Sequence, residues 1–349
     1  MSKQNVLLNF AGDVVLGDLF ETYKSGIGSG IAEKSLDPFL FCREYLKQGD
    51  LNIINLESVL SDVSSRKSPW SAIMRGGTSS VDILKKNSIH AVNLANNHSF
   101  DHGHEAFSEM LNLLDKSGIK HFGGPRDKFQ EEPARAEVRG KKILFLGYYI
   151  EESLSILDRE QLIDRINRTA LKVRREDEVL VLSLHWGSEY SDKPFSWMIS
   201  AAKRFMDSGV DILYGHHSHT YQGVAKYKNA IFAPSLGNFI FQDYFKKNLR
   251  SALLQVELSE KSPVFNTIPI VIDNKGRPNY SKHVEKSIAS LNENLARILS
   301  KTDDELSLWD KDAAKQVRSG HFKNRLKIKC KILTNPVKYY PFIFSKNGN

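Results

Sequence analysis

Residues 209–241 read GVDILYGHHSHTYQGVAKYKNAIFAPSLGNFIF. A short apolar strand is expected over residues 210–214, and it runs straight into Gly215-His216-His217-Ser218-His219. Three of the eleven histidines therefore leave the end of one buried strand. In α/β proteins such strand ends are where ligands bind. Imidazoles two apart can face the same way and share one metal site, and Gly215 gives the backbone room to turn before them. Two further strands and a polar turn, Ser235-Leu236-Gly237-Asn238, follow at once.

The same arrangement recurs upstream. An apolar run at 6–10 ends in Ala11-Gly12-Asp13, and a strand at 51–55 delivers Asn55-Leu56-Glu57. A strand at 90–94 delivers Asn96-Asn97-His98, with Asp101 just beyond, and one at 179–184 ends in His185-Trp186, with Glu189 nearby. Helices are expected between them at 37–47, 80–87, 105–117, 153–174 and 194–208, the first opened by an Asp-Pro pair suited to a helix start. Further strands fall at 119–122, 134–139 and 142–147. Strand, polar site and helix in repeated succession mark an α/β fold. Residues 252–258 and 265–273 alternate instead, as an antiparallel pair, and helices at 282–301 and 304–319 close the fold. Residues 61–77, turn-rich around Pro69 and Arg75-Gly76-Gly77, read as a long functional loop.

The 349 residues, 41% hydrophobic and 26% charged, are those of an ordinary globule. They divide into one large domain over 1–300, a closing helix at 301–320 and a tail at 321–349. The net charge is +8, yet from Lys315 onward there are nine Lys or Arg and no acid, which leaves residues 1–314 one unit negative. The basic character is the tail's own. The two cysteines, Cys42 and Cys330, have no CxxC or zinc-site spacing and fit free thiols in a reducing compartment. The apolar run at 6–11 is too short for a signal-peptide core, and no run approaches the ~20 residues of a membrane span, so a cytoplasmic location is expected. The tail mixes Lys with aromatics. It is either a solvated, disordered end or a segment lying on an anionic membrane surface, at the inner membrane face, where each charge adds ~1 kcal/mol. No DNA or RNA motif accompanies it, and no nucleic-acid partner is expected.

Collected, the strand ends supply Asp13, Glu57, Asn97, His98, His185, His217 and His219. Mixed nitrogen and oxygen donors suit one or two divalent ions such as Mn, Fe or Zn better than Mg or Ca. Two such ions can acidify a shared water and clamp a phosphoryl group, and a neighbouring His can protonate the leaving oxygen, worth ~10²–10⁴ in rate. Glu57 is read as a ligand or as a turn cap, and Asp101 as orienting His98 or capping the next helix. Arg75 is either a solvated loop residue or a fork for an anionic substrate group. His102 and His104 read as surface helix residues.

The motifs GDVVLGD, NLE, ANNHSFDHG, HWGSEYS, GHHSH and SLGNF, in this order over residues 6–243, resemble the CapA-type capsule synthesis proteins of the poly-γ-glutamate group, related to calcineurin-like metallophosphoesterases. The resemblance implies a four-layer α/β/β/α sandwich carrying a basic C-terminal extension, with two divalent metals at the strand ends. It implies Asp13, Asn97, His185, His217 and His219 as ligands and Glu57 where the phosphoesterases have a bridging Asp. His98 would be the catalytic acid, supported by Asp101. Arg75, Glu189 and Asn238 would lie toward the substrate, Asn238 behind the ligands, with His216 only a backbone-positioning neighbour. Phosphoesterases begin Asp-x-His, whereas Asp13 is followed by Val14-Val15. The implied function is a metal-dependent hydrolase in capsule or surface-polymer synthesis, acting on an anionic polymer or phosphoester beside other capsule-synthesis proteins. The alternative is a non-catalytic accessory protein that binds metal or polymer.

Overall fold

The structure, a computed structural model, describes residues 5–18, 26–65, 74–124, 133–243, 245–259 and 262–334. The first part of the chain forms β1 (Val6–Val14), α1 (Ile27–Ala32), α2 (Arg43–Leu46), β2 (Leu51–Leu56), β3 (Val59–Leu60), β4 (Arg75–Gly76), α3 (Ser80–Lys86), β5 (Ala91–Asn93), α4 (Gly103–Lys116) and β6 (Lys120–Phe122). The middle forms β7 (Ala134–Val138), β8 (Lys141–Tyr149), α5 (Ile156–Val173), β9 (Glu178–His185), α6 (Ser196–Asp207), β10 (Ile212–His216), β11 (Ala225–Tyr227), β12 (Ala230–Ala233) and β13 (Asn238–Ile240). The last part adds β14 (Arg250–Leu258), β15 (Val264–Ile272), β16 (Pro278–Tyr280), α7 (Glu285–Leu299) and α8 (Asp303–Thr334).

Two sheets result. One runs β16-β15-β14-β1-β2-β5-β6, with β13 continuing the β14 edge of β1; the other runs β11-β12-β10-β9-β8-β7. The period-2 alternation of the strands explains how they stack. In the second sheet Ile143, Phe145, Val181, Ile212 and Tyr214 join Val6, Leu8, Phe10 and Ile53 of the first in one core between the sheets. Their sequence neighbours Leu144, Leu146, Leu180, Leu182 and Leu213 turn the other way, onto α5, α6 and α7. On the outer face of the first sheet Ile54, Leu56 and Val92 pack with Leu84 of α3 and Met110 of α4. Strands buried on both faces need apolar residues at successive positions, as residues 180–182 show. The four-layer α/β/β/α sandwich implied by the resemblance is the architecture adopted.

Three local expectations are corrected. The stretch 37–47 is not one helix: Asp37 accepts the Phe39 N–H at 3.2 Å in a turn, and only the four residues of α2 are α-helical. The Asp37 carboxylate is instead held by Arg43 at 2.5 Å and Lys86 at 3.2 Å. The long loop at 61–77 is entered and left through the paired strands β3 and β4, and its residues 66–73 lie outside those described. The helix expected to stop at Ser319 runs on to Thr334, so the start of the basic tail is helical; residues 335–349 lie outside those described. Among the described residues no helix is long and apolar enough to cross a membrane.

Candidate metal centre

The inward parity of the strands also builds the site. On β2, Leu51 and Ile53 face the second sheet, so Asn55 and then Glu57 follow on the same side. β1 would place Gly12 there, but its pairing with β2 slips by one residue between Phe10 and Asp13 (Phe10 opposite Ile53, Asp13 opposite Asn55). This bulge flips the parity and aims Asp13 inward. Gly12 is required because the β13 backbone crosses it: a Cβ there would lie 1.9 Å from the Gly237 oxygen, whose carbonyl accepts the Asp13 N–H at 2.9 Å. In the second sheet, His185 follows Val181 and Ser183 on β9, and His216 follows Ile212 and Tyr214 on β10, onto the same inner side.

Asp13, Glu57, His185 and His216 are fully buried, and His217 and His219 are nearly so. Potential ligand atoms of Glu57, His185 and His217 lie within 4.8 Å of one another, and so do those of Asp13, Glu57 and His219. Glu57 is common to both groups. The rings of His217 and His219 stand 6.4 Å apart, and each falls in a different one of these two groups. The two residues do not lie on a strand; both have left-handed backbone, with φ of 89° and 54°, an uncommon conformation for non-glycine residues.

His216 is also corrected. The strand extends two residues further than the apolar run suggested, so His216 is its inward-facing last residue, with Nδ1 3.1 Å from Asp13 Oδ1. Gly215 is inside the strand too, and its role is clearance: a Cβ would fall 2.0 Å from the Pro234 oxygen. Other positioning contacts had no strong sequence signal. Asn93 Nδ2 donates to Asn55 Oδ1 at 2.9 Å, and Asn55 Nδ2 to Asp13 Oδ1 at 2.8 Å, a relay behind the first carboxylate. Two amides at matched positions of neighbouring inward-facing strands were the available clue.

Around this core, Asn97 Oδ1 lies 2.7 Å from His185 Nε2. His98 Nδ1 lies 2.7 Å from Asp101 Oδ2, which also accepts the Met74 N–H at 3.2 Å. Asp101 caps nothing; the residue before α4 is His102, without a side-chain cap. His102 is buried rather than on the surface, its Nδ1 accepting the Ser65 N–H at 3.0 Å, whereas His104 is exposed. Asn238 Oδ1 lies 2.9 Å from His219 Nδ1, behind the ring. Glu189 is half-buried, and its charge acts on both His217 and His219. Arg75 Nη1 donates to the Ser61 carbonyl at 2.7 Å, on the β3–β4 pair.

The electrostatics are those of a cation site. Burial would raise Asp13, but His216 and His219 outweigh it and hold its carboxyl well below the usual range. Glu57 is pushed well above its usual range by burial and then by the Asp13 charge. Burial lowers His185 and takes His217 down to about 4. His219 is raised, because Glu57, Asp13 and Glu189 together outweigh its burial. Among the described residues, neither carboxylate oxygen of Glu57, nor Asp13 Oδ2, His216 Nε2 or His217 Nδ1, has a hydrogen-bond partner. Buried ionisable groups with idle lone pairs cost several kcal/mol unless paired or coordinated. Two carboxylates and two imidazoles of this kind fit divalent cations with nitrogen and oxygen donors.

Comparison with known proteins places the chain among its relatives. The sequence model of the family described as "Bacterial capsule synthesis protein PGA_cap" matches residues 7–243. The chain is 23% identical over 333 residues to the capsule biosynthesis protein CapA of Bacillus anthracis, covering 91% of this chain and 79% of that protein. It is 24% identical over 279 residues to the PGA biosynthesis protein CapA of Bacillus subtilis (strain 168), covering 76% and 71%. A phosphatase structure from Mycoplasma pneumoniae superposes with a TM-score of 0.46 at 13% identity, over 83% of this chain and 99% of that one. Every motif at the strand ends, from Asp13 to Asn238, falls within the matched span, and the chain belongs to the bacterial capsule synthesis protein PGA_cap family.

Proposed function

We propose that the chain is a metal-dependent hydrolase of capsule or surface-polymer synthesis, which cleaves a phosphoester or a polymer-linked ester or amide in an anionic substrate. The observation that carries this is the pair of buried ligand groups sharing Glu57, with the His98–Asp101 pair beside it. Glu57, His185 and His217 would hold one ion, with Asn97 adjacent, and Asp13, Glu57 and His219 the other. When bound, such ions supply Lewis-acid polarisation of a phosphoryl or carbonyl oxygen.

The rest is done by the chain's own groups. Asp101 accepts from His98 Nδ1, which fixes the ring and leaves Nε2 as the nitrogen that gives a proton to the leaving oxygen. Asn238 and Asn55 hold His219 and Asp13 in place. Glu189 adds negative charge beside His217 and His219. The extra imidazole of an Asp-x-His motif is absent from β1, and His216 stands against Asp13 in its stead.

The test is metal content per chain, by elemental analysis of protein purified without chelator or nickel resin, together with turnover of a phosphodiester and of a γ-linked glutamate oligomer. Near two transition-metal ions per chain, lost in a His217→Ala/His219→Ala variant, and turnover lost in His98→Ala are expected. A chain that takes up no metal, or a His98→Ala variant with full turnover, refutes the hydrolase and favours an accessory protein.

A further inference from the structure

The loop after β9 is clasped by α8. Trp309 Nε1 donates to the Pro194 carbonyl at 2.7 Å, Gln316 Oε1 accepts the Asp192 N–H at 3.0 Å, and Asn324 Nδ2 donates to the Tyr190 hydroxyl at 2.9 Å. Tyr190 is itself fastened to the histidine loop, its N–H donating to the Ser218 carbonyl at 2.9 Å. Its ring packs on Phe245 at 5.2 Å. Here a cavity of about 330 Å³ opens between α8 and the turn at 245–250, a volume in the range of small-ligand sites. Four lysines line it, Lys246 and Lys247 from the turn and Lys315 and Lys323 from the helix, with Phe245 and Gln316; among the described residues no acidic one does.

The four ammonium groups are not equivalent. Lys247 Nζ donates to the Tyr190 carbonyl and, at 3.1 Å, to Gln316 Oε1, so it is a fixed part of the wall. Burial lowers its pKa; Asp192 partly offsets this, while Lys323 and Arg250 add to it. Lys246, Lys315 and Lys323 are exposed and make no hydrogen bond or ion pair among the described residues. Like charges gathered around one concavity raise the local concentration of anions.

Spacing selects the kind of anion. Lys315 and Lys323 are eight residues apart on α8, about 12 Å along its axis at 1.5 Å per residue. A single phosphate reaches both only if the two stems bend toward each other, whereas carboxylates strung along an extended chain meet each where it stands. Flexible lysine stems, unlike the rigid fork of Arg, suit a repeating anion without one fixed orientation. The charges also line a concavity rather than a flat face, which a bilayer surface could not enter. The turn that carries Lys246 is tied to the histidine loop through Asn248 Oδ1, which accepts from Thr220 Oγ1 at 3.1 Å.

We propose that this lysine-lined cavity is a polyanion subsite, which holds carboxylates of a linear polymer while a linkage of that polymer lies at the metal centre. The second clause rests on the hydrolase reading; the subsite itself does not. The test uses fluorescence anisotropy of a labelled ten-residue γ-linked glutamate oligomer with the full chain and with a Lys246→Gln/Lys315→Gln/Lys323→Gln variant. Binding that weakens about tenfold in the variant, the combined loss of three exposed ion pairs, and that falls with added salt is expected. Turnover of a small phosphodiester should be the same in both proteins. Equal oligomer affinity in both proteins overturns the subsite. Full displacement by equimolar inorganic phosphate overturns it in favour of a small-anion site. Loss of sedimentation with anionic vesicles while oligomer binding persists overturns it in favour of a membrane contact. A tenfold loss of oligomer binding in a protein with no turnover at all supports the subsite and rejects the hydrolase.

Discussion

Replacing Glu57 by Met should make the metal-free protein more stable and abolish most of its stabilisation by metal. Glu57 is fully buried, with no hydrogen bond to either oxygen and the Asp13 charge next to it. A buried polar group without partners costs about 1–3 kcal/mol, and an apolar group of similar shape removes that cost. Part of the gain is given back, since Glu57 is the leading anionic neighbour of the raised His219. The net stabilisation is therefore about 1–2 kcal/mol in chelator. With about 2.1 cal/mol/K of unfolding entropy per residue over this length, that corresponds to a rise in Tm of roughly 1.5–3 °C. Wild type should instead gain about 4 kcal/mol when Mn²⁺ or Zn²⁺ is supplied at a thousandfold excess over its Kd, a rise of roughly 6 °C. Differential scanning fluorimetry in EDTA and in titrated metal reads both numbers. If the variant melts lower than wild type in EDTA, the carboxylate is already satisfied without metal; if it keeps the full metal-induced rise, Glu57 is not a shared ligand.

Three further outcomes are expected. Asp101→Asn should lower kcat by about tenfold to a hundredfold with little change in KM, a milder loss than the ~10²–10⁴ for His98→Ala; equal losses in kcat and gains in KM would show that Asp101 acts on substrate binding instead. In the metal-free protein Glu57 and His219 both bind protons more tightly than usual, so a cation competes with those protons, and affinity should strengthen as pH rises through their range and weaken as it falls. Calorimetry in two buffers of different ionisation enthalpy measures the protons released, and a value of zero contradicts the assignment. Gly215→Ala, with its Cβ 2.0 Å from the Pro234 oxygen, should destabilise the protein by about 3 kcal/mol or more in chemical denaturation; a loss under 1 kcal/mol would mean that β10 and the Pro234 turn shift apart freely.

Much of the layer order was legible in the chain because period-2 alternation and unbroken apolar runs are local signals. The strands ending near Glu57, Asn97 and His185 could be read from the residues alone. What escaped was set by pairing between distant segments. The slip that turns Asp13 inward exists only in the register of β1 against β2, and residues 11–13 do not announce it. His216 was misread because the apolar run stops at Tyr214 while hydrogen bonding to β9 carries the strand on to His216. The left-handed backbone at both His217 and His219 is encoded by no side-chain pattern. The continuation of α8 past Ser319 is fixed by its contacts with Tyr190, since the helix has little amphipathic pattern of its own at that end.

The seating of β1 has a kinetic consequence. Its partner on one side, β2, follows within 50 residues, whereas β13 and β14 on the other come more than 220 residues later. At about 5–20 residues per second, a ribosome needs roughly 12–50 s to make the intervening chain, and the first strand carries an open edge for all of it. Nascent chains arrested before residue 250 retain that edge along Val6, Leu8 and Phe10, whose partners on β14 have not yet been made. Strand β14 thus sets when the first strand stops being able to recruit another polypeptide.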